Sequence, residues 1–175
     1  MHLDNSACNL ASLNLMKFID GDGKFQVDPF RHAVDVMITA QDIVIDKSSY
    51  PTEEIGANAR AYRELGLGYA NLGAMLMAQG LAYDSDAGRA YAGAITSLMC
   101  GQAYLRSAEI ADAMGAFARY RMNRRPFLEV IGMHKSAAAA IPSRGVGEAL
   151  LGAARECWSE ALESGSRHGF RNGQV

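Results

Sequence analysis

Cys8 sits in DNSACNLASLNLMKF, Asp4 to Phe18, a run of small and apolar residues whose two asparagine-leucine pairs lie five residues apart. A thiol in such a stretch has two readings. It is a small hydrophobe in a strand, as unpaired cysteines commonly are, or it is a chemical group held at the floor of an active site. The other cysteines, Cys100 beside Met99 and Gly101 and Cys157 before Trp158, read as packing residues on helices. Three cysteines at these separations make neither a disulfide framework nor the short paired spacing of structural zinc. The histidines at 2, 32, 134 and 168 show no i, i+4 pair and no neighbouring carboxylate cluster, so they read as surface or capping residues and no metal site is expected. LGLG at 65–68 is too short for a dinucleotide fingerprint. Glu53 and Glu54 are adjacent, point to different helix faces and cannot pair as acid and base.

The elements that would hold Cys8 follow from pattern. Ala7 to Phe18 reads as a buried strand or strand-like entry, closed by IDGDGKF, where Gly21, Gly23, Asp20 and Asp22 supply turn chemistry but not the full ligand pattern of a calcium loop. Asp28 and Pro29 predict a helix start, with Asp28 as N-cap and apolar residues from Phe30 to Ile45 recurring at three- and four-residue steps. Thr52 opens a second helix through about Ala61. In Leu65, Leu67 and Tyr69 the bulky residues alternate with Gly66 and Gly68, so one face of a short strand carries no side chains and something must approach it closely. A helix over Asn71 to Gln79 follows, with Gly80 as its left-handed terminator. Asp84, Ser85 and Asp86 cap a long helix to about Ala113. MGAFARYRMNRRPF reads as a basic exposed connection, leading to a short helix with an alanine run that ends near Ile141; another helix spans about Val146 to Ser164. The closing GFRNGQV turns extended, which reads as the start of a strand and hence as truncation.

At 175 residues and 18.8 kDa the chain reads as one helix-rich α/β domain. With 17 basic against 19 acidic residues and a pI near 6.1, no nucleic-acid or membrane partner is expected. MHLDNSACNL lacks the pattern of a leader, no apolar run reaches bilayer length, and the cysteine usage fits a reducing compartment, so a soluble cytoplasmic protein is the expectation.

Three stretches, ACNLASLNLMKF, YRELGLGYANLGAMLMAQGLAYDSDAGRAYAGAI and GFRNGQV, in this order and at these separations, resemble the catalytic subunit of ribonucleotide reductase, most closely its adenosylcobalamin-dependent class. YPTEEI and SAEIA extend the resemblance over essentially the whole chain. The resemblance implies a ten-stranded α/β barrel in which a cysteine on a central finger loop becomes a thiyl radical and removes the ribose 3′ hydrogen. Two wall cysteines then supply electrons to the 2′ position and finish as a disulfide. The cysteine of the family's C-N-L-x-S-x-N-L stretch belongs to that pair, and here it is Cys8; such a dithiol needs its Cα atoms within about 7 Å. Leu10 resembles a residue lining the substrate pocket, on the same side as Cys8 at strand spacing, and Asn9 is a further substrate-floor candidate. The glycine strand reads as barrel wall.

The family's asparagine-proline-cysteine finger motif, its first redox cysteine and its A-P-T-G-T-type phosphate loop are all missing from these residues, and Glu64 stands where proline is frequent. The resemblance therefore implies that residues 1–175 are the central part of the catalytic barrel domain, truncated at both ends and inactive alone. In the full-length protein it implies adenosylcobalamin as cofactor, a ribonucleoside diphosphate as substrate and a thioredoxin-type dithiol as reductant. Uncovered apolar surface and strand edges make a homo-oligomer a further expectation. The alternatives are the iron-dependent class I large subunit, a catalytically dead helical binding or scaffold protein derived from it, and a plain helical domain with a buried Cys8.

Overall fold

The computed structural model describes residues 3–175; the expectation for His2 falls outside them. Among the described residues two α-helices follow the first of two strands and four follow the second, the helix-rich α/β composition expected. Strand β1 (Asn9–Asn14) is shorter than the segment to Phe18 that its composition suggests. The Asn14 side chain accepts from the Met16 amide and starts a 3-10 turn over Leu15–Phe18, so a local side-chain bond ends the strand. The following turn is as expected: Asp20 Oδ1 accepts from the amides of Asp22 and Lys24, and Gly23 takes φ 79°.

Helix α1 (Val27–Lys47) corrects the Asp28 cap. Gln26 occupies the cap position without a side-chain bond, while Asp28 and Pro29 lie inside the first turn. Amides there have no intrahelical partner, so proline costs nothing and the carboxylate meets the positive end of the dipole. Phe30, Val34, Ile38 and Ile45 bury one face as the spacing requires, but Val44 turns to solvent and two polar residues, Gln41 and Asp42, take the core positions between Ile38 and Ile45.

Helix α2 (Glu53–Tyr62) is capped by Thr52, whose Oγ1 accepts from the Ile55 amide, and ends at Arg63 in the left-handed region at φ 53°. That reversal feeds β2 (Leu65–Ala70), which runs parallel to β1 with Leu10 opposite Gly66 and Ser12 opposite Gly68. Helix α3 (Leu72–Ala78) follows, and Gly80 terminates it at φ 67°. Helix α4 (Asp86–Met114) starts at Ser85, whose Oγ accepts from the Gly88 amide, and packs along α6 (Glu148–His168). That contact is close because Gly101 lies against the side chains of Cys157 and Trp158.

Of the stretch expected to be a connection, residues 115–119 do link α4 to the next helix, but Tyr120 to Phe127 form the first turns of α5 (Tyr120–Ala139). Its arginines are exposed, but Phe117, Tyr120 and Phe127 join Tyr104 and Phe170 in an aromatic cluster with centroid separations of 4.9 to 6.2 Å. Burial of these rings overrides the loop-like composition. The chain then returns to the sheet: the Leu65 amide donates to the Gln174 carbonyl at 2.8 Å, and Glu64 and Gln174 form a parallel bridge. The extended segment therefore lies on the side of β2 away from β1. Among the described residues, no helix is long and apolar enough to cross a membrane.

Candidate functional site: the sheet face that carries Cys8

Alternation assigns the two faces of the sheet different surroundings. One is covered by helices: Leu13 and Leu65 are buried, the Asn9 side chain reaches α1, and the Tyr69 hydroxyl meets Thr96 Oγ1 of α4 at 2.7 Å. The other face presents Cys8, Leu10 and Ser12 from β1 and its entry, above Gly66 and Gly68 of β2. Here is what approaches the bare glycines. A Cβ on Gly66 would lie 2.6 Å from Leu10 Cδ2 and 3.1 Å from Cys8 Sγ, so both side chains occupy the space that glycine leaves. Leu10 is 81% exposed, an apolar residue held out on a strand rather than packed.

Cys8 is partly buried and free, its thiol 3.7 Å from the Asn9 carbonyl. Burial pushes its pKa up, and the Glu64 carboxylate nearby adds to the rise. A raised pKa lowers the thiolate fraction at any given pH, which disfavours unassisted nucleophilic attack by this sulfur. Cys100 and Cys157 differ. Burial raises their pKa values to about 11 and about 12, and Cys157 Sγ points at the Ala154 carbonyl at 3.3 Å inside the α4–α6 contact.

Of the residues singled out from sequence, the fold brings Cys8 and Leu10 together and turns Asn9 away. Asn9 Nδ2 donates to the Gln41 carbonyl at 3.3 Å, on the helix-covered face. Gln41 returns the contact: its Nε2 donates to the carbonyls of Asn9 and Gly66, each at 3.0 Å. His134 stacks on Trp158 with centroids 5.0 Å apart, and His168, with no carboxylate near it in sequence, meets Asp112 at 2.8 Å through the fold. Among the described residues no three potential ligands gather to hold a metal.

A second group of residues, Asp42 above all, was not visible in the sequence. Arg63 Nε donates to Asp42 Oδ1 at 2.9 Å, and its other nitrogens bond both oxygens of Asp46 at 2.8 and 3.0 Å. Asn172 Nδ2 donates to Asp42 Oδ1 at 2.9 Å and to the Arg63 carbonyl at 3.1 Å, while Ser107 Oγ donates to Asn172 Oδ1 at 2.8 Å. Arg171 Nε reaches Asp42 Oδ2 at 3.4 Å. Thus the RELGLG and GFRNGQV stretches, far apart in sequence, meet on one carboxylate of α1 at the end of the sheet where Cys8 enters. The one available signal was a polar pair, Gln41 and Asp42, at core positions of an amphipathic helix.

Two parallel strands joined through helices, in a chain that is otherwise helical, are what a helix-rich part of an α/β barrel presents. The chain belongs to the ribonucleotide reductase family, whose barrel-domain model matches residues 1–175. It is 51% identical over its whole length to 19% of a vitamin B12-dependent ribonucleotide reductase of Streptomyces avermitilis. Over its whole length it is also 49% identical to 17% of the protein of that name from Rhodopirellula baltica, and 40% identical to 15% of that from Agrobacterium fabrum. The chain therefore spans about a fifth or less of the length of these relatives.

Proposed function

We propose that residues 1–175 are the central part of the catalytic barrel of a ribonucleoside-diphosphate reductase, and that Cys8 is one half of its redox dithiol. The observation that carries this reading is the placement of Cys8 beside exposed Leu10 over Gly66, a thiol and an apolar floor on one uncovered wall. In the full-length protein the 2′ carbon–oxygen bond breaks and the hydroxyl leaves as water. The carbon gains a hydrogen, and two thiols lose two electrons and two protons to become a disulfide. A thioredoxin-type dithiol then regenerates the pair. A thiyl radical formed elsewhere in the protein starts the sequence, and the product serves DNA synthesis in the cytoplasm.

Leu10 forms part of the substrate floor. Asn9 contributes by fixing the strand through Gln41 rather than by facing the sugar. The vitamin B12-dependent names of the relatives support adenosylcobalamin over the iron-dependent alternative; when bound, this cofactor supplies the radical. The described residues do not by themselves fit it, because nothing stands opposite the exposed Leu10 to enclose a corrin ring, and no residue of this chain is assigned to it.

The test is Cys8→Ser in the full-length enzyme. Turnover with dithiol reductants is lost while cobalt–carbon cleavage persists; wild-type turnover in that variant sinks the assignment. The isolated 175 residues reduce no nucleotide.

A further inference from the structure

We propose that Gln41 and Gly66 are positioning residues that set where the Cys8 sulfur sits; the proposal rests on the redox reading of Cys8 given above. Two independent contacts converge on the entry to β1. From the helix-covered face, the Gln41 side-chain amide donates to the carbonyls of Asn9 and Gly66, one on each strand, and the Gln41 carbonyl accepts from the Asn9 side chain. Both amide protons are thereby spent on tying β1 to β2 one residue after Cys8. Gln41 is 5% exposed, and its Oε1 has no hydrogen-bond partner. A buried polar atom left unbonded is a cost, which an apolar residue of the same size would not carry, so the two donors are what the position needs. The reverse orientation of the amide would set its oxygen against two carbonyl oxygens.

From the open face, Gly66 acts by what it lacks. A methyl group there would meet Leu10 Cδ2 at 2.6 Å and Cys8 Sγ at 3.1 Å, and would have the Asn9 carbonyl oxygen at 3.7 Å. Leu10 is exposed and could swing away, but Cys8 precedes a strand whose first residue is clamped by Gln41, so its sulfur must move relative to the wall. Disulfide geometry tolerates little displacement of either partner. Gln41 thus fixes the backbone at Cys8, and Gly66 fixes the depth of its thiol.

The experiment uses full-length enzyme carrying Gln41→Met, Gly66→Ala or Cys8→Ser, with folding checked by thermal melting. In the positioning variants kcat falls by on the order of tenfold to a hundredfold, while KM for the nucleotide stays within about twofold and cobalt–carbon cleavage is unchanged. In cofactor-free protein the alkylation rate of Cys8 also changes. Folded variants with wild-type kcat and wild-type Cys8 alkylation overturn the proposal, as does a loss carried by KM alone. If one variant does not fold, the other decides by the same measurements; failure of both assigns the two residues to stability and overturns the proposal. Cys8→Ser separates the two claims, since an active Cys8→Ser removes the redox reading itself, whereas an inactive one beside fully active positioning variants removes only this inference.

Discussion

Asn172 Nδ2 donates to Asp42 Oδ1 at 2.9 Å, joining the C-terminal extended segment to α1 across 130 residues of sequence. The same carboxylate takes Arg63 at 2.9 Å and Arg171 at 3.4 Å. One acidic side chain therefore holds the entry to β2 and the C-terminal segment beside it, and the consequences of losing it differ from those of losing an exposed acid.

Asp42→Ala leaves the buried Arg63 guanidinium and the Asn172 amide without their shared acceptor. Removing one partner of a buried pair costs about 3–5 kcal/mol. Asp46, whose side chain is half exposed, pairs with the same arginine at 2.8 Å, yet Asp46→Ala costs roughly 0–1 kcal/mol because solvent screens the pair. Urea denaturation of both variants checks the ordering; equal losses would mean that Asp42 is not the hub.

The hydrogen bond from Arg63 holds the Asp46 carboxyl below the usual carboxylate range, outweighing partial burial. A depressed folded-state pKa means that the unfolded chain binds the proton more readily. The stabilisation is therefore complete above the unfolded value of about 3.9 and is lost as pH falls through the lower folded one. Denaturation midpoints measured across acidic pH drop in this window for wild type and less steeply for Asp46→Asn. Parallel pH curves would count against the pairing.

Alkylation discriminates among the cysteines. Near neutral pH, iodoacetamide labels Cys8 first, because Cys100 and Cys157 are raised to about 11 and about 12 by burial and present almost no thiolate. Peptide mapping of labelled native protein reads the order. Glu64→Gln removes the negative charge that adds to the burial effect on Cys8, so the midpoint of its alkylation profile shifts to lower pH. An unmoved midpoint would show that burial alone governs the thiol.

Gly101→Ala drives a methyl group into Cys157 Sγ and to within 3.1 Å of the Trp158 ring. Overpacking of this kind costs about 1–3 kcal/mol. Adding Cys157→Ala recovers part of the loss by vacating the space, which thermal melting of the single and double variants measures. No recovery would place the strain on Trp158 instead.

Much of the local structure was legible because it rests on contacts within a few residues. Thr52 and Ser85 cap their helices through amides three positions on, and Gly80 ends α3 in the conformation that glycine adopts at least cost. The glycine alternation at 65–69 announced a close approach to a bare strand face. Two readings failed for one reason. The arginine-rich stretch around Tyr120 looked like a loop, and Asp28 looked like a cap, because composition and a single dipeptide were read without the packing that decided them. Tyr120 and Phe127 belong to a cluster completed by Phe170, and α1 begins where Phe30 and Val34 can reach the core.

For the sulfur itself the division is clear. The sequence alone determined that Cys8 and Leu10 share a side of an extended segment, because side chains in a strand alternate with period two, and its motifs identified the family. It could not say which residues lie under them or which clamp the strand. The partners of Gly66, Gln41 and Asp42 were decided by tertiary structure alone, because parallel strands joined through helices place in contact residues separated by 25 to 130 positions, and no local pattern encodes that register.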